Sequence, residues 1–418
     1  MLYPVFSRRQ MLMGGAALTA SLALPRIALA QSAAAGTPRL KAESVARIEL
    51  GGSTPLDLFD NRLPGPVLRV KRATALTATL ENALQAPLSV VFPGVRLPQA
   101  VMSVPALGGT ALAPGASGDM SLAPPDAGTF LYRAFAPDQM RQGLAGALIV
   151  EDDGPSAFAA DHVLVIQAFW PDSTMKVPLL TVNGAVSPTL ESPAGGRARV
   201  RLINASVHFL RLRIVTPTSS YALAVDGQPL EPFALKEGRA QLTPGGRLDL
   251  TLDMGAADPV ILNVETAQEP IQLAILAPTG PAPASGAPAG APAALPANAL
   301  PAKIPLEGAT RYEINLGTQA VEVSSLTSLG TLARGASMVL TLVNQNEAPV
   351  AVQLYGAPAR ILDGADDGWK PWWHDAIPVP PKATVRAALV ASLPGKWAIV
   401  AQRDGDGTVV ASRSYEVK

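Results

Sequence analysis

The chain of 418 residues sets 33 basic side chains against 33 acidic ones, is 48% hydrophobic but only 5% aromatic, and contains no cysteine. Zero net charge leaves no long-range field to gather nucleic acid or an anionic membrane, so polyanion binding is excluded as a general function. The length allows two to four domains, and without thiols their apolar cores, not cross-links, must stabilise them. With 40 prolines and 36 glycines, helical periodicity is interrupted nearly everywhere. Short Val/Leu/Ile/Thr runs between turn residues predict an all-β protein.

In chain order, the first element is a targeting segment. Ser7-Arg8-Arg9 precedes an apolar run from Met11 to Leu24, then Arg26 and the small-residue site Ala28-Leu29-Ala30. The run contains Gly14 and Gly15 and falls short of the roughly 20 residues a spanning helix needs, so no stable membrane span is expected. The pair Arg8 and Arg9 resembles a twin-arginine export signal, which implies passage through the twin-arginine translocase as a folded protein, cleavage after Ala30 and release into the periplasm. Residues 1–30 are therefore read as the signal.

Three further segments follow. Residues 41–153 end at the polar cluster Asp152-Asp153-Gly154-Pro155, residues 156–276 form the second, and residues 304–418 the third. Between the last two, 277–303 is a Pro/Ala/Gly run that reads as an extended, semi-rigid linker. Alternating strands are predicted around Leu68, Val70 and Leu76 to Leu80 in the first segment, Arg199 to Ile203 in the second and Met338 to Val343 in the third. About seven such strands per segment match β-sandwiches.

Ordered landmarks sharpen this reading. Asn61 to Val70, Pro125 to Tyr132 and Gly143 to Val150 occur in the first segment. Val182-Asn183-Gly184, Arg201 to Ser206, Val225 to Pro229 and Pro244 to Asp249 follow in the second. Asp375 to Pro381 and Pro394 to Trp397 complete the third. As an ordered set they resemble the multicopper oxidases. The resemblance implies three cupredoxin-like (plastocyanin-like) Greek-key β-sandwich domains.

It also implies where copper ligands should stand. The family uses four His-x-His pairs for a trinuclear cluster, and one Cys, two His and usually a Met around a mononuclear blue copper. In this chain the corresponding positions are Val91 and Pro93, Arg133 and Phe135, then Val350, Gln353 and Tyr355, then Val400, Ala401, Gln402 and Asp406, with Ala411 at the axial Met. None offers an imidazole or a thiolate, and three histidines in all (His162, His208 and His374) could not supply eight imidazoles. No cofactor and no oxidase activity are expected.

Other motifs read as ordinary structure. The histidines are too far apart in sequence for a local metal motif. Asp363 to Gly368 lacks the oxygen ligand a calcium loop needs at its third position and reads as a polar turn. Asp404-Gly405-Asp406-Gly407 is a hairpin signal where the family has its cysteine-containing ligand loop. Trp372, Trp373 and Phe169-Trp170 suit cores or interface anchors. No nucleophile elbow, phosphate loop or dinucleotide fingerprint is present.

The resemblance extends to copper-free family members that are exported by the twin-arginine route and act in cell division. It implies a non-catalytic scaffold at the septal ring, with divisome or other envelope proteins as partners. Two alternatives remain: a redox or metal protein by fold ancestry, or a small-molecule binder whose former metal cleft is lined by Arg133, Gln353, Tyr355 and Gln402.

Overall fold

A computed structural model describes residues 38–47, 50, 55–152, 156–171, 175, 177–282, 290–362 and 369–418. Arg8, Arg9, the cleavage site after Ala30 and the turn from Asp363 to Gly368 lie outside them. Six sheets pair into three sandwiches, as the alternating apolar patterns require.

In the first, Arg39–Val45 lies between Leu56–Phe59 and Leu76–Asn82, with Ser117–Leu122 outermost. The facing sheet runs Gly65–Lys71, Ala145–Glu151, Gly128–Ala134, Val90–Val91. Between them Leu40, Phe59, Leu80, Phe130, Tyr132 and Leu148 form one core. The second sandwich has six strands (Leu179–Val182, Ala160–Phe169, Arg197–Asn204, Arg247–Asp253, Ser220–Val225, Gln228–Ala234) over five (Thr189–Pro193, Ile271–Thr279, Val260–Val264, Leu210–Val215, Arg239–Leu242). The third has five (Thr310–Leu316, Ser337–Asn344, Thr384–Val390, Ala359–Leu362, Trp369–His374) over five (Thr327–Leu332, Val409–Val417, Gly395–Arg403, Val350–Leu354, Ala376–Val379). The second and third sandwiches are thus richer in strands than the sequence periodicity suggests. Short, irregular runs such as Arg239–Leu242 escape a pattern search.

The strand Gly128–Ala134 is buried on both faces along its whole length, and period-2 alternation explains how. Phe130 and Tyr132 point into the first core. Leu131 packs with Ile149 on Val165 and Ile203 of the second domain, Thr129 accepts a 3.0 Å hydrogen bond from Arg201, and Arg133 turns toward the third domain. Val90 and Val91 divide likewise: Val90 joins the first core and Val91 the core of the third domain.

The linker starts later than expected and is not a free spacer. Ala277, Pro278 and Thr279 continue the strand Ile271–Thr279, paired in parallel with Glu191, Ser192 and Pro193, because an edge position tolerates the proline's missing N–H. Further on, Asn298 donates to the Ala127 carbonyl at 2.9 Å and to Gln228 Oε1 at 2.9 Å, and accepts from the Ala127 N–H at 3.0 Å. The linker's end then packs Leu300 and Ile304 against Val339 and Trp373. No helix among the described residues is long and apolar enough to cross a membrane.

Candidate functional site

Strand pairing brings together, where the first and third domains meet, most of the positions that the sequence resemblance assigns to copper ligands. Val91 stands opposite Arg133, while Gln353 opposes Val400, Val352 opposes Ala401, Ala351 opposes Gln402 and Val350 opposes Arg403. Val91 is completely buried, and Val350, Val400 and Ala401 belong to the same apolar cluster. Phe135 packs against that cluster and meets the Tyr355 ring edge-on, centroids 5.9 Å apart. Pro93 and Gln402 are also buried. Asp406 is set apart: it lies exposed in the turn between Gly395–Arg403 and Val409–Val417, with its carboxylate 2.5 Å from Arg403. Turn geometry, not ligand placement, explains its position.

The polar members extend into a buried chain that joins all three domains. Arg133 is 4% exposed. It donates to Met140 Sδ at 2.8 Å and makes long, 3.5 Å contacts to Gln353 Oε1 and the Tyr355 hydroxyl. Gln353 then donates through Nε2 to Asp375, 2.9 Å to the carbonyl and 2.5 Å to the carboxylate. Its amide dipole thus lies between a cation and an anion, oxygen toward the first and nitrogen toward the second. Asp375 grips Arg247 in a fork, 2.5 and 2.9 Å, the strongest geometry available to this pair.

Arg247, with no side-chain exposure, also donates to the carbonyls of Asp226 (2.8 Å), Gly245 (2.9 Å) and Thr129 (3.4 Å). Asp226 completes the chain. Its carboxylate accepts from the backbone N–H of Arg247 at 3.0 Å and from those of Asp375 and Ala376 at 3.2 Å, and it lies 3.3 Å from His374 Nδ1. Gly94 permits this crowding. It has φ +78°, and a Cβ there would sit 2.1 Å from Arg247 Nη2.

One guanidinium serves two carboxylates, and the two respond differently. Burial alone would push Asp226 up, but the charge of Arg247 and the contact with His374 hold it below the usual carboxylate range. Burial wins at Asp375, which is pushed up to about 6 with help from the nearby Asp226 charge and against the pull of Arg247. Arg247 stays charged: burial opposes its charge, and Asp375 and Asp226 restore it.

Arg247, Asp375 and Asp226 are functional-site residues that the resemblance to copper-ligand positions does not point to. Each nevertheless falls within a landmark run, Pro244 to Asp249, Asp375 to Pro381 and Val225 to Pro229, and a charged residue inside an otherwise apolar or turn-forming run was the available signal. The other histidines lie elsewhere: His162 Nε2 is 3.3 Å from Ser192 Oγ, and His208 packs near Trp170 with ring centroids 6.2 Å apart. Burial lowers both their pKa values. No cluster of three or more His, Cys, Asp or Glu able to hold a metal occurs among the described residues. Arg133, Gln353, Tyr355 and Gln402 line none of three cavities of about 420, 300 and 480 Å3 found elsewhere in the fold.

Residues 42–155 match the multicopper oxidase family model. In solved structures the chain is similar to a multi-copper oxidase from Pseudomonas thermotolerans, with 27% identity, a TM-score of 0.78 and coverage of 91% of this chain and 98% of that one. Lac15 from a marine microbial metagenome shares the fold at 23% identity and a TM-score of 0.78, covering 91% of this chain and all of that one. Residues 42–155 thus carry a multicopper oxidase family domain, and the described residues have a cupredoxin-like architecture similar to that of these oxidases.

Among curated proteins it is similar to cell division protein FtsP of Pectobacterium atrosepticum, 27% identical over 231 residues, covering 49% of this chain and 48% of that protein. FtsP of Sodalis glossinidius is 30% identical over 227 residues, 47% of this chain and 46% of that one. Copper resistance protein A of Pseudomonas syringae pv. tomato is 30% identical over 152 residues, 34% of this chain and 25% of that one. The matched stretches span between a quarter and a half of these relatives.

Proposed function

We propose that this chain is a copper-free, non-catalytic periplasmic protein that works through its surfaces in cell division, as a scaffold of the septal ring. The observation that carries the reading is the packing at the ligand positions. Copper would need imidazole nitrogen and thiolate sulfur there. Val91, Phe135, Val400 and Ala401 supply hydrocarbon, and Arg133 places a guanidinium among them. A fixed cation repels a copper ion, and the residues present do not fit the metal. The similarity to FtsP proteins supports the division role, and the Arg8-Arg9 signal supports export to the periplasm in folded form.

Purified mature protein incubated with excess Cu(II) and desalted is expected to retain less than about one copper per chain and to show no blue absorption band. Stoichiometric retention with that band would return the chain to the oxidases. The division role is tested by a fluorescent fusion, placed after the signal, in dividing cells. Enrichment at midcell is expected, and the Arg8→Lys/Arg9→Lys precursor is expected to stay in the cytoplasm, since the export receptor reads paired guanidiniums and not charge alone. An even periplasmic distribution through the division cycle would rule out the septal role.

A further inference from the structure

The second and third domains line a half-open cavity of about 300 Å3 between the Gln228–Ala234 and Arg239–Leu242 strands on one side and the Ala359–Leu362, Trp369–His374 and Ala376–Val379 strands on the other. Its walls are mainly apolar: Val225, Leu235, Leu242, Ile361 and the stacked pair Phe233 and Trp372, whose rings lie 5.3 Å apart at 16°. Of the two guanidinium groups on its lining, Arg239 is already paired with Glu237 and Glu265 and Arg247 with Asp375, so no charge there awaits a ligand.

The polar group of interest is His374, which lines the cavity. Its Nδ1 lies 3.3 Å from Asp226 Oδ2. Asp226 is 3% exposed and held ionised by Arg247 and three backbone N–H groups, and a carboxylate can only accept. In the neutral form of the ring the proton lies on Nδ1, facing Asp226, and Nε2 is the acceptor. That nitrogen has no hydrogen-bond partner among the described residues. An oriented imidazole with its far nitrogen free, beside an aromatic-walled cavity, is the arrangement by which pockets fix a ligand: an apolar body for affinity and one placed polar group for orientation.

We propose that this cavity binds a small, planar, uncharged molecule with one N–H or O–H donor, its body against the Phe233 and Trp372 walls and its donor on His374 Nε2. The site is separate from the ligand positions at the first and third domains, and it stands whether or not the chain acts at the septum.

The test uses the purified mature chain and two probes, indole and 1-methylindole, which differ in a single N–H. Titration calorimetry is expected to give one saturable site for indole, with 1-methylindole bound about tenfold more weakly, the worth of one hydrogen bond. His374→Leu is expected to abolish that preference, and Trp372→Ala to weaken both probes. Without any substitution, indole is expected to shift one of the chain's three histidine imidazole resonances and leave the other two in place. The proposal is overturned if the intact protein binds the two probes equally or binds neither, if the preference survives in His374→Leu, or if no imidazole resonance responds.

Discussion

Replacing Arg247 with Met is expected to lower stability by about 3–5 kcal/mol, the penalty for removing one partner of a buried ion pair. The size follows from what is left behind. Asp226 and Asp375 are 3% and 1% exposed, and without the guanidinium they face each other as like charges with little water to solvate them. The double substitution Arg247→Met/Asp375→Asn removes one of those charges and is expected to recover part of the loss, a coupling that a double-mutant cycle measures directly.

The sign of the pH dependence is also set. Asp375 is already raised to about 6 in the intact protein, against 3.8 for a free aspartate. Between those values the folded state holds a proton that the unfolded state has lost, so this group's contribution to stability falls as pH rises from about 4 to 6. Loss of Arg247 removes a charge that lowers both acids, so it raises Asp375 further and lifts Asp226 from its lowered value. The deficit of Arg247→Met is therefore expected to be larger at pH 7.5 than at pH 5 in denaturant unfolding. A variant that unfolds with the parent at both pH values would mean that the buried chain does not hold the domains together.

Phe135→Ala and Val400→Ala are each expected to destabilise by about 1–4 kcal/mol through cavity formation. Val400 is 6% exposed within the third-domain core, and Phe135 is half-buried against the same cluster and the Tyr355 ring. Phe135 loses the larger side chain from the wetter place, so the two values are expected to be similar. Lys71→Ala, on an exposed strand end, is the control at about 0.5 kcal/mol or less. Melting of all three variants at fixed protein concentration is the comparison. If both core variants melt with the control, the junction is an open cleft and not packed.

The sheet architecture was legible because it rests on local signals. Alternation marks the strands Leu76–Asn82 and Ser337–Asn344, and the turn from Asp404 to Gly407 sits between two paired strands. The junction was legible in part. That Val91, Phe135 and Val400 lack ligand atoms is plain from residue type, and their convergence follows once the strands pair. Partnership between Arg247 and Asp375 was not legible. They are 128 positions apart, and nothing in composition or period says which of 33 acidic groups meets which of 33 basic ones; only the folded backbone decides. Trp372 shows the same limit. A Trp-Trp pair suits a core or an interface equally well, and the structure splits the two: Trp372 stacks across on Phe233 of the second domain, while Trp373 is buried under the linker's end.

Asn298 has one more implication. Its amide spans the first two domains, and Ile304, six positions on, is already fixed in the third domain. An extended chain covers at most ~3.3–3.6 Å per residue, so this short tether sets how far the third domain can move from the other two while the amide holds. Upstream, Thr279 and Asn298 are anchored independently of each other, and lengthening a chain between two fixed ends changes its closure entropy only slowly. A change of length on the upstream side of Asn298 therefore costs little closure entropy. On the downstream side, the same change would alter the reach that brings Asp375 to Arg247.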